Sequence, residues 1–390
     1  MWKREKCSMP EARGYLKSLL ANLRTLRERA GLNESALEER LILGPGWVGR
    51  FERGEIAPSI DMVLAILHEI NFSFADLLQG LPKPGAAAID RVIFAEQSGD
   101  DIVIHFSYAR FDAHYTLPNC RLDEFESVMK TLRDGLSRLT NADDTQSEAV
   151  KSDAVARAFL RAVAIWPHAN PSDLWWFVIY RAYCDPYNHP AQYAQLDFTQ
   201  SWKRTGGWAL EEVLVRHYGP HLKRHGVNLF IADGAAKQQL VRGLELPGRV
   251  EADKIDVVLT GDTRGASRFF GVVHVKASFA ERRTDDVPLS RALRDAGYTS
   301  PLWTMDCKGT PYAHPSNRGE LGGVVGKRSA KRLDIEDQGE FTGCFSYNRN
   351  TRPSPETLPP ERRVQVCDFT NSDDAFSQFI LRRWQEFRAF

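Results

Sequence analysis

Along the first 80 residues the apolar positions recur at helical spacing. Leu16, Leu19, Leu20, Leu23 and Leu26 share one face, with Arg24, Arg27 and Arg29 among them. Gly31 supplies the C′ residue that closes this helix, and Asn33 is a good N-cap for a second one, Glu34 to Leu41. Leu43-Gly44-Pro45-Gly46 is turn chemistry, so a third helix is expected from Trp47. Behind Pro58, Ser59 can cap a helix whose stripe is Ile60, Val63, Leu64 and Leu67. Five short helices with a tight turn between the second and third predict a helix-turn-helix.

After the stiff segment Leu81-Pro82-Lys83-Pro84-Gly85 the period changes from helical to alternating. Val92-Ile93-Phe94 and Ile102-Val103-Ile104-His105-Phe106 read as strands joined through Ser98-Gly99-Asp100. An amphipathic helix is expected over Leu122 to Leu139. The polar stretch Asn141 to Asp153 reads as a second boundary, and an apolar, aromatic helix follows around Leu174 to Tyr183. The expected organisation is multidomain. Residues 1–82 form an all-α domain, 86–145 a small α+β connecting domain, and 155–390 an α/β domain.

The pattern between Ser201 and Phe279 carries the chemistry. A helix containing Gly207-Trp208-Ala209-Leu210-Glu211-Glu212 is expected to run to about Tyr218, and Gly226 turns into an edge strand. Ile255-Asp256-Val257-Val258-Leu259 reads as a strand with an acid among β-branched neighbours. Asp262-Thr263-Arg264-Gly265 is a turn, and Phe269 to Lys276 is the next strand. Across that hairpin Asp256 lies beside position 274, and residues 274 and 276 share a face. Carboxylates that hold Mg²⁺, with a lysine to assist water or phosphate, are what phosphodiester hydrolysis requires. Each residue also has an ordinary explanation. Asp256 can be a partner for Lys254, Lys276 can reach solvent from a strand end, and Glu211 and Glu212 can favour a helix dipole.

Composition excludes several classes. With 43% hydrophobic residues among 390 the chain can bury two or three cores, and no apolar run reaches membrane-spanning length. No secretory signal is expected at the start. Six cysteines without a C-x-x-C pair argue against a disulfide framework or zinc finger and for a reduced, cytoplasmic protein. There is no Gly-x-Ser-x-Gly elbow and no phosphate-loop motif. Basic and acidic residues balance at 51 each, and residues 1–80 hold 11 of each. Residues 200–332, however, hold 22 basic and 14 acidic residues, so a basic region is concealed in the neutral total.

Two resemblances follow from these residues. Leu23-x-x-Leu26-Arg27-x-x-Ala30-Gly31-Leu32, with Phe51-Glu52-Arg53-Gly54 and Pro58-Ser59, resembles the repressor-type helix-turn-helix of the Xre and Cro kind. It implies that the third helix faces DNA, with Trp47, Val48, Arg50 and Arg53 as its exposed residues. Few of these are the hydrogen-bonding types that read bases.

The order of helical Glu211, Asp256 and Lys276 resembles the PD-(D/E)XK nuclease superfamily. Lys276-Ala277-Ser278-Phe279-Ala280-Glu281-Arg282 is similar to a run in type II restriction endonucleases of the BsaWI-like group. Asn170 to Trp175, Lys331 to Glu336 and Phe345 to Asn348 fit the same group. The resemblance implies a Mg²⁺-dependent enzyme that cuts double-stranded DNA as a homodimer, alongside a DNA methyltransferase encoded nearby. Catalytic Glu211, Asp256, His274 and Lys276 would then be joined by Glu281 as a further metal ligand. Arg282, Lys327, Arg328, Lys331 and Arg332 become phosphate contacts. His274 departs from the family, which has Asp or Glu there. Either Glu211 makes up the carboxylate count, or an acid after the lysine (Glu281 or Asp285) moves in, or activity is lost. The alternative function is a helix-turn-helix transcriptional regulator with an inactive nuclease-like domain.

Overall fold

In the computed structural model the described residues are 9–56, 59–79, 93–108, 111–141, 144–184, 198–244, 251–263, 265–278, 283–308, 315, 317–322 and 328–389. The chain divides into two compact units, residues 1–90 and 91–390.

The first unit is helical: α1 (Met9–Arg29), α2 (Glu34–Arg40), α3 (Trp47–Glu52), α4 (Ile60–Glu69) and α5 (Phe74–Leu78). Its punctuation follows the sequence. Gly31 has a φ of 72°, and the side chains of Asn33 and Ser59 accept hydrogen bonds from Ala36 N–H and Met62 N–H. Leu20, Leu23, Leu37, Val48, Phe51, Ile66 and Leu77 form one core. Two polar contacts fix α3 against it. Arg27 grips Glu52 through Nε at 2.7 Å and Nη2 at 2.9 Å, both side chains being buried. Glu38, also buried, accepts the Gly46 and Val48 N–H groups at the start of α3. A buried pair of this kind is costly to break, because either partner alone becomes an uncompensated charge.

In the second unit β1 (Ile93–Ser98), β2 (Asp101–Tyr108) and β3 (Phe111–Leu117) form an antiparallel sheet with β2 in the middle. Gly99 turns the first hairpin at φ 63°. Then come α6 (Leu122–Leu136), α7 (Asp144–Ile165), α8 (Pro171–Cys184) and α9 (Phe198–Arg224). The boundary expected over 141–153 is replaced by α7, whose first turns occupy that polar stretch. The small α+β region is likewise not a separate body. Ile102, Leu117, Phe125 and Leu132 belong to the same core as Phe159, Leu210, Val273 and Trp384. Polar residues 144–153 simply cover one side of a helix whose later turns are apolar.

The remaining elements are β4 (Val227–Phe230), α10 (Gly234–Leu244), β5 (Val257–Thr263), β6 (Ala266–Lys276), α11 (Arg283–Asp295), β7 (Leu302–Thr304), α12 (Ala330–Glu336), β8 (Cys344–Ser346), β9 (Val364–Val366) and α13 (Ala375–Phe387). Strands β4 to β9 form one sheet in sequence order. The pairs β4–β5 and β5–β6 are antiparallel; β6 to β9 run parallel. Strand β6 is buried on both faces from Phe270 to Val275, as a strand inside an α/β sheet should be. One face packs on the main core through Val273 and Val275. The other meets Leu289 and Leu293 of α11 through Val272, with Val258 of β5 beside it.

Candidate active site

The pleat decides which residues meet. Positions 272, 274 and 276 of β6 share the face toward α11. Val257 pairs with Val273, which puts Asp256 at the mouth of β5 next to His274. Asp256 sits one residue before β5 begins, and its Oδ2 accepts the Val275 N–H at 2.8 Å, which locks the carboxylate against the strand. Lys276 Nζ lies 3.1 Å from Asp256 Oδ2 and 3.2 Å from Asp286 Oδ2. One ligand atom from each of Asp256, His274 and Asp286 falls within 4.8 Å of the others. Glu211 of α9 is 6% exposed, and its Oε2 is buried without a hydrogen-bond partner.

The electrostatics follow from burial and from crowding of acids. Burial, then the charge on Asp256, raises the Glu211 carboxyl to about 8. Burial lowers His274 to about 4, so the imidazole is neutral at pH 7. Its Nε2 pairs with Ser300 Oγ at 2.8 Å, and its Nδ1 is buried without a partner. Ser300 in turn donates to Ser290 Oγ, and Ser290 to the Glu340 carbonyl. Burial works against the Lys276 charge, but Asp256 and Asp286 outweigh it and raise its pKa. Asp256, Asp286 and the His274 ring, whose Nδ1 has no hydrogen-bond partner, are a donor set that fits a divalent cation, and Glu211 stands outside that group.

Asp286 is the acid the sequence reading missed. Glu281 and Asp285 were the expected incoming carboxylates; Glu281 lies outside the described residues, and Asp286 is the one that reaches Lys276. The available signal was helical register. Asp286, Leu289 and Leu293 fall at i, i+3 and i+7, so an acid sits on the face that packs against the sheet. Asp286 is 5% exposed.

Other expected contacts are placed differently. Arg332 is buried, and its guanidinium is committed to Glu336 at 2.7 Å and to the Leu321 and Arg352 carbonyls. Lys331 pairs with Glu320 at 2.6 Å, and Arg328 with Asp337 and Glu336. These residues brace the segment around α12. Lys327 and Arg282 lie outside the described residues. In the first unit Val48, expected on the exposed face, is fully buried, because the short α3 turns it toward the core. Trp47 is half-buried and stacks on Phe51 at 4.9 Å. Arg50 and Arg53 are exposed and share Glu55, at 3.8 and 2.7 Å.

A two-carboxylate, one-lysine centre at the end of an interior strand of a mixed sheet, flanked by a helix carrying a third acid, defines the class: a PD-(D/E)XK nuclease core. Comparison with known proteins gives the family. A helix-turn-helix domain family matches residues 18–77. The type II restriction enzyme AgeI of Thalassovita gelatinovora is 37% identical over 277 residues, which span 69% of this chain and 94% of that enzyme. The solved structure of the restriction endonuclease AgeI in specific complex with DNA matches with a TM-score of 0.60 at 33% identity, over 75% of this chain and 99% of that one. A structure of BsaWI in a pre-specific DNA complex matches with a TM-score of 0.37 at 16% identity, over 68% and 94%. The chain belongs to the type II restriction endonucleases, a family of site-specific endodeoxyribonucleases that use a divalent cation.

Proposed function

We propose that this protein hydrolyses both strands of a specific DNA duplex with Mg²⁺ held by Asp256 and Asp286. The observation that carries this reading is the convergence of Asp256, Asp286 and Lys276 at one end of β6. His274 completes the donor set, and Glu211 stands near it as a further acid. Neutral His274 adds a ligand atom without charge, so Asp286 restores the carboxylate that position 274 lacks. A bound divalent cation supplies positive charge at the scissile phosphate and acidifies water.

The chain's own residues do the rest. Lys276, held between two acids, keeps its proton and presents a fixed positive charge to the phosphate or the attacking water. The Val275 N–H holds Asp256 in place, and the Ser300–Ser290 relay orients His274. A two-fold dimer acting on a palindromic site is the simplest way to cut both strands. Activity in the cytoplasm beside a protecting methyltransferase completes this reading. The helix-turn-helix unit adds a DNA contact through Arg50 and Arg53, with Trp47 at the edge of the same helix.

Incubating the purified protein with plasmid and unmethylated phage DNA, with Mg²⁺ and with EDTA, tests the proposal. Discrete fragments seen only with Mg²⁺ are expected. Intact DNA at every metal concentration, with DNA binding retained, would instead favour a regulator.

A further inference from the structure

The parallel strands β6 to β9 have two ends, and the catalytic residues use only the end where β6 stops at Lys276. At the other end, where β8 and β9 begin, lies a cavity of about 220 Å³. Its lining includes Arg294 near the end of α11, Arg362 ahead of β9 and Arg383 of α13, with Tyr298 and Phe341 as aromatic walls. Glu361 is the one carboxylate in that lining, against three guanidinium groups.

The arginines are arranged rather than scattered. Arg294 makes no hydrogen bond or ion pair among the described residues. Arg362 donates to the Asp337 carbonyl at 3.3 Å and lies across Gly339. That glycine has a φ of 60°, and a Cβ there would come 3.3 Å from Arg362 Nε. Arg383 donates to Thr299 Oγ1 at 3.3 Å and is balanced by Glu386 at 2.7 Å. An unpaired guanidinium beside two anchored ones, in a concave site, is suited to an oxyanion, because the planar fork of donors matches phosphate. The volume is below the 300 Å³ or so at which drug-sized ligand sites begin, and it has room for a phosphate group with several waters around it.

We propose that this cavity is a phosphate-binding site separate from the cleavage centre. Phe341 connects the two places physically. It walls the cavity and also packs edge-on against the His274 ring, with centroids 5.3 Å apart.

The test is thermal unfolding of the whole protein in EDTA, with inorganic phosphate compared with chloride at equal ionic strength. Phosphate at about ten times its dissociation constant should raise Tm by about 2–4 °C. Arg294→Ala and Arg362→Ala should each abolish the rise, while Lys276→Ala keeps it. Arg294 has no partner to orphan, so its variant should fold, which its Tm in chloride checks. An equal rise in both arginine variants, or none in the wild type, overturns the site. A rise lost in Lys276→Ala places the anion in the cleavage centre and overturns it too. A short duplex without a cut site then identifies the source. An Arg294-dependent rise with the duplex assigns the site to backbone phosphate, and a rise with inorganic phosphate alone assigns it to the free anion; either supports the site.

Discussion

At the scale of residues the centre is an accounting of charge. Asp256 and Asp286 contribute two negative charges and Lys276 one positive, while buried His274 is neutral. Lys276→Ala removes a preorganised charge at the scissile phosphate and should lower kcat on the order of 10²–10³-fold with the fold intact, measured by single-turnover cleavage. A loss smaller than threefold would remove Lys276 from the mechanism. Asp286→Asn should raise the Mg²⁺ concentration needed for half-maximal cleavage by at least about tenfold, taking perturbed metal shells as the guide. Glu211 gives a pH signature. Its carboxyl is raised from 4.5 to about 8 in the folded protein. The folded state therefore holds that proton more tightly, and the associated stability is full below pH 4.5 and lost as pH rises through 8. In EDTA, Tm should fall between pH 5 and pH 8.5, and Glu211→Gln should flatten the fall; an unchanged slope would contradict it. Asp256, His274 and Lys276 were legible in the sequence because a two-residue period in a hairpin fixes which side chains are neighbours. Asp286 was not, since its place depends on how α11 lies on the sheet.

At the scale of elements, glycines show where close approach governs packing. A Cβ on Gly271 would fall 2.1 Å from the Thr299 carbonyl oxygen, where β6 meets the chain entering β7. Backbone cannot swing aside as a side chain can, so Gly271→Ala should cost at least about 1–3 kcal/mol and lower Tm by several degrees. Gly207 of α9 has no neighbour within 4 Å of such a Cβ. There Ala relieves the entropic penalty of a helical glycine, and Gly207→Ala should stabilise by about 0.5–1 kcal/mol. Opposite signs in calorimetry are expected, and equal losses would contradict the open surroundings of Gly207. Capped and periodic elements, α2 and α4 with Asn33 and Ser59, could be read directly. Strands β7, β8 and β9 have three residues each, too few to show a period. Helix α7 was hidden because its first turns are polar, which makes a solvent-facing helix look like a linker.

At the scale of the whole molecule the neutral charge total conceals a basic stretch inside the second unit. Residues 1–80 balance at 11 and 11, whereas 200–332 carry 22 basic against 14 acidic residues. Part of that excess is spent internally, since Arg328, Lys331 and Arg332 are all paired around α12. The phosphate footprint is thus smaller than the count suggests. Glu211, Asp256, His274, Asp286 and Lys276 all lie in the unit spanning residues 91–390, which holds its own continuous core. AgeI is matched over 94% of its length by 69% of this chain, so a chain of that extent suffices for an enzyme of the family. A protein comprising residues 91–390 should therefore fold and cleave DNA with the same metal dependence. Removing the first unit deletes Arg50 and Arg53, which share one glutamate. The dependence of log binding affinity on log salt should consequently become shallower by only about one or two phosphate contacts. Full loss of metal-dependent cleavage by the folded truncation, at saturating DNA, would show instead that the helix-turn-helix takes part in assembling the cleavage centre.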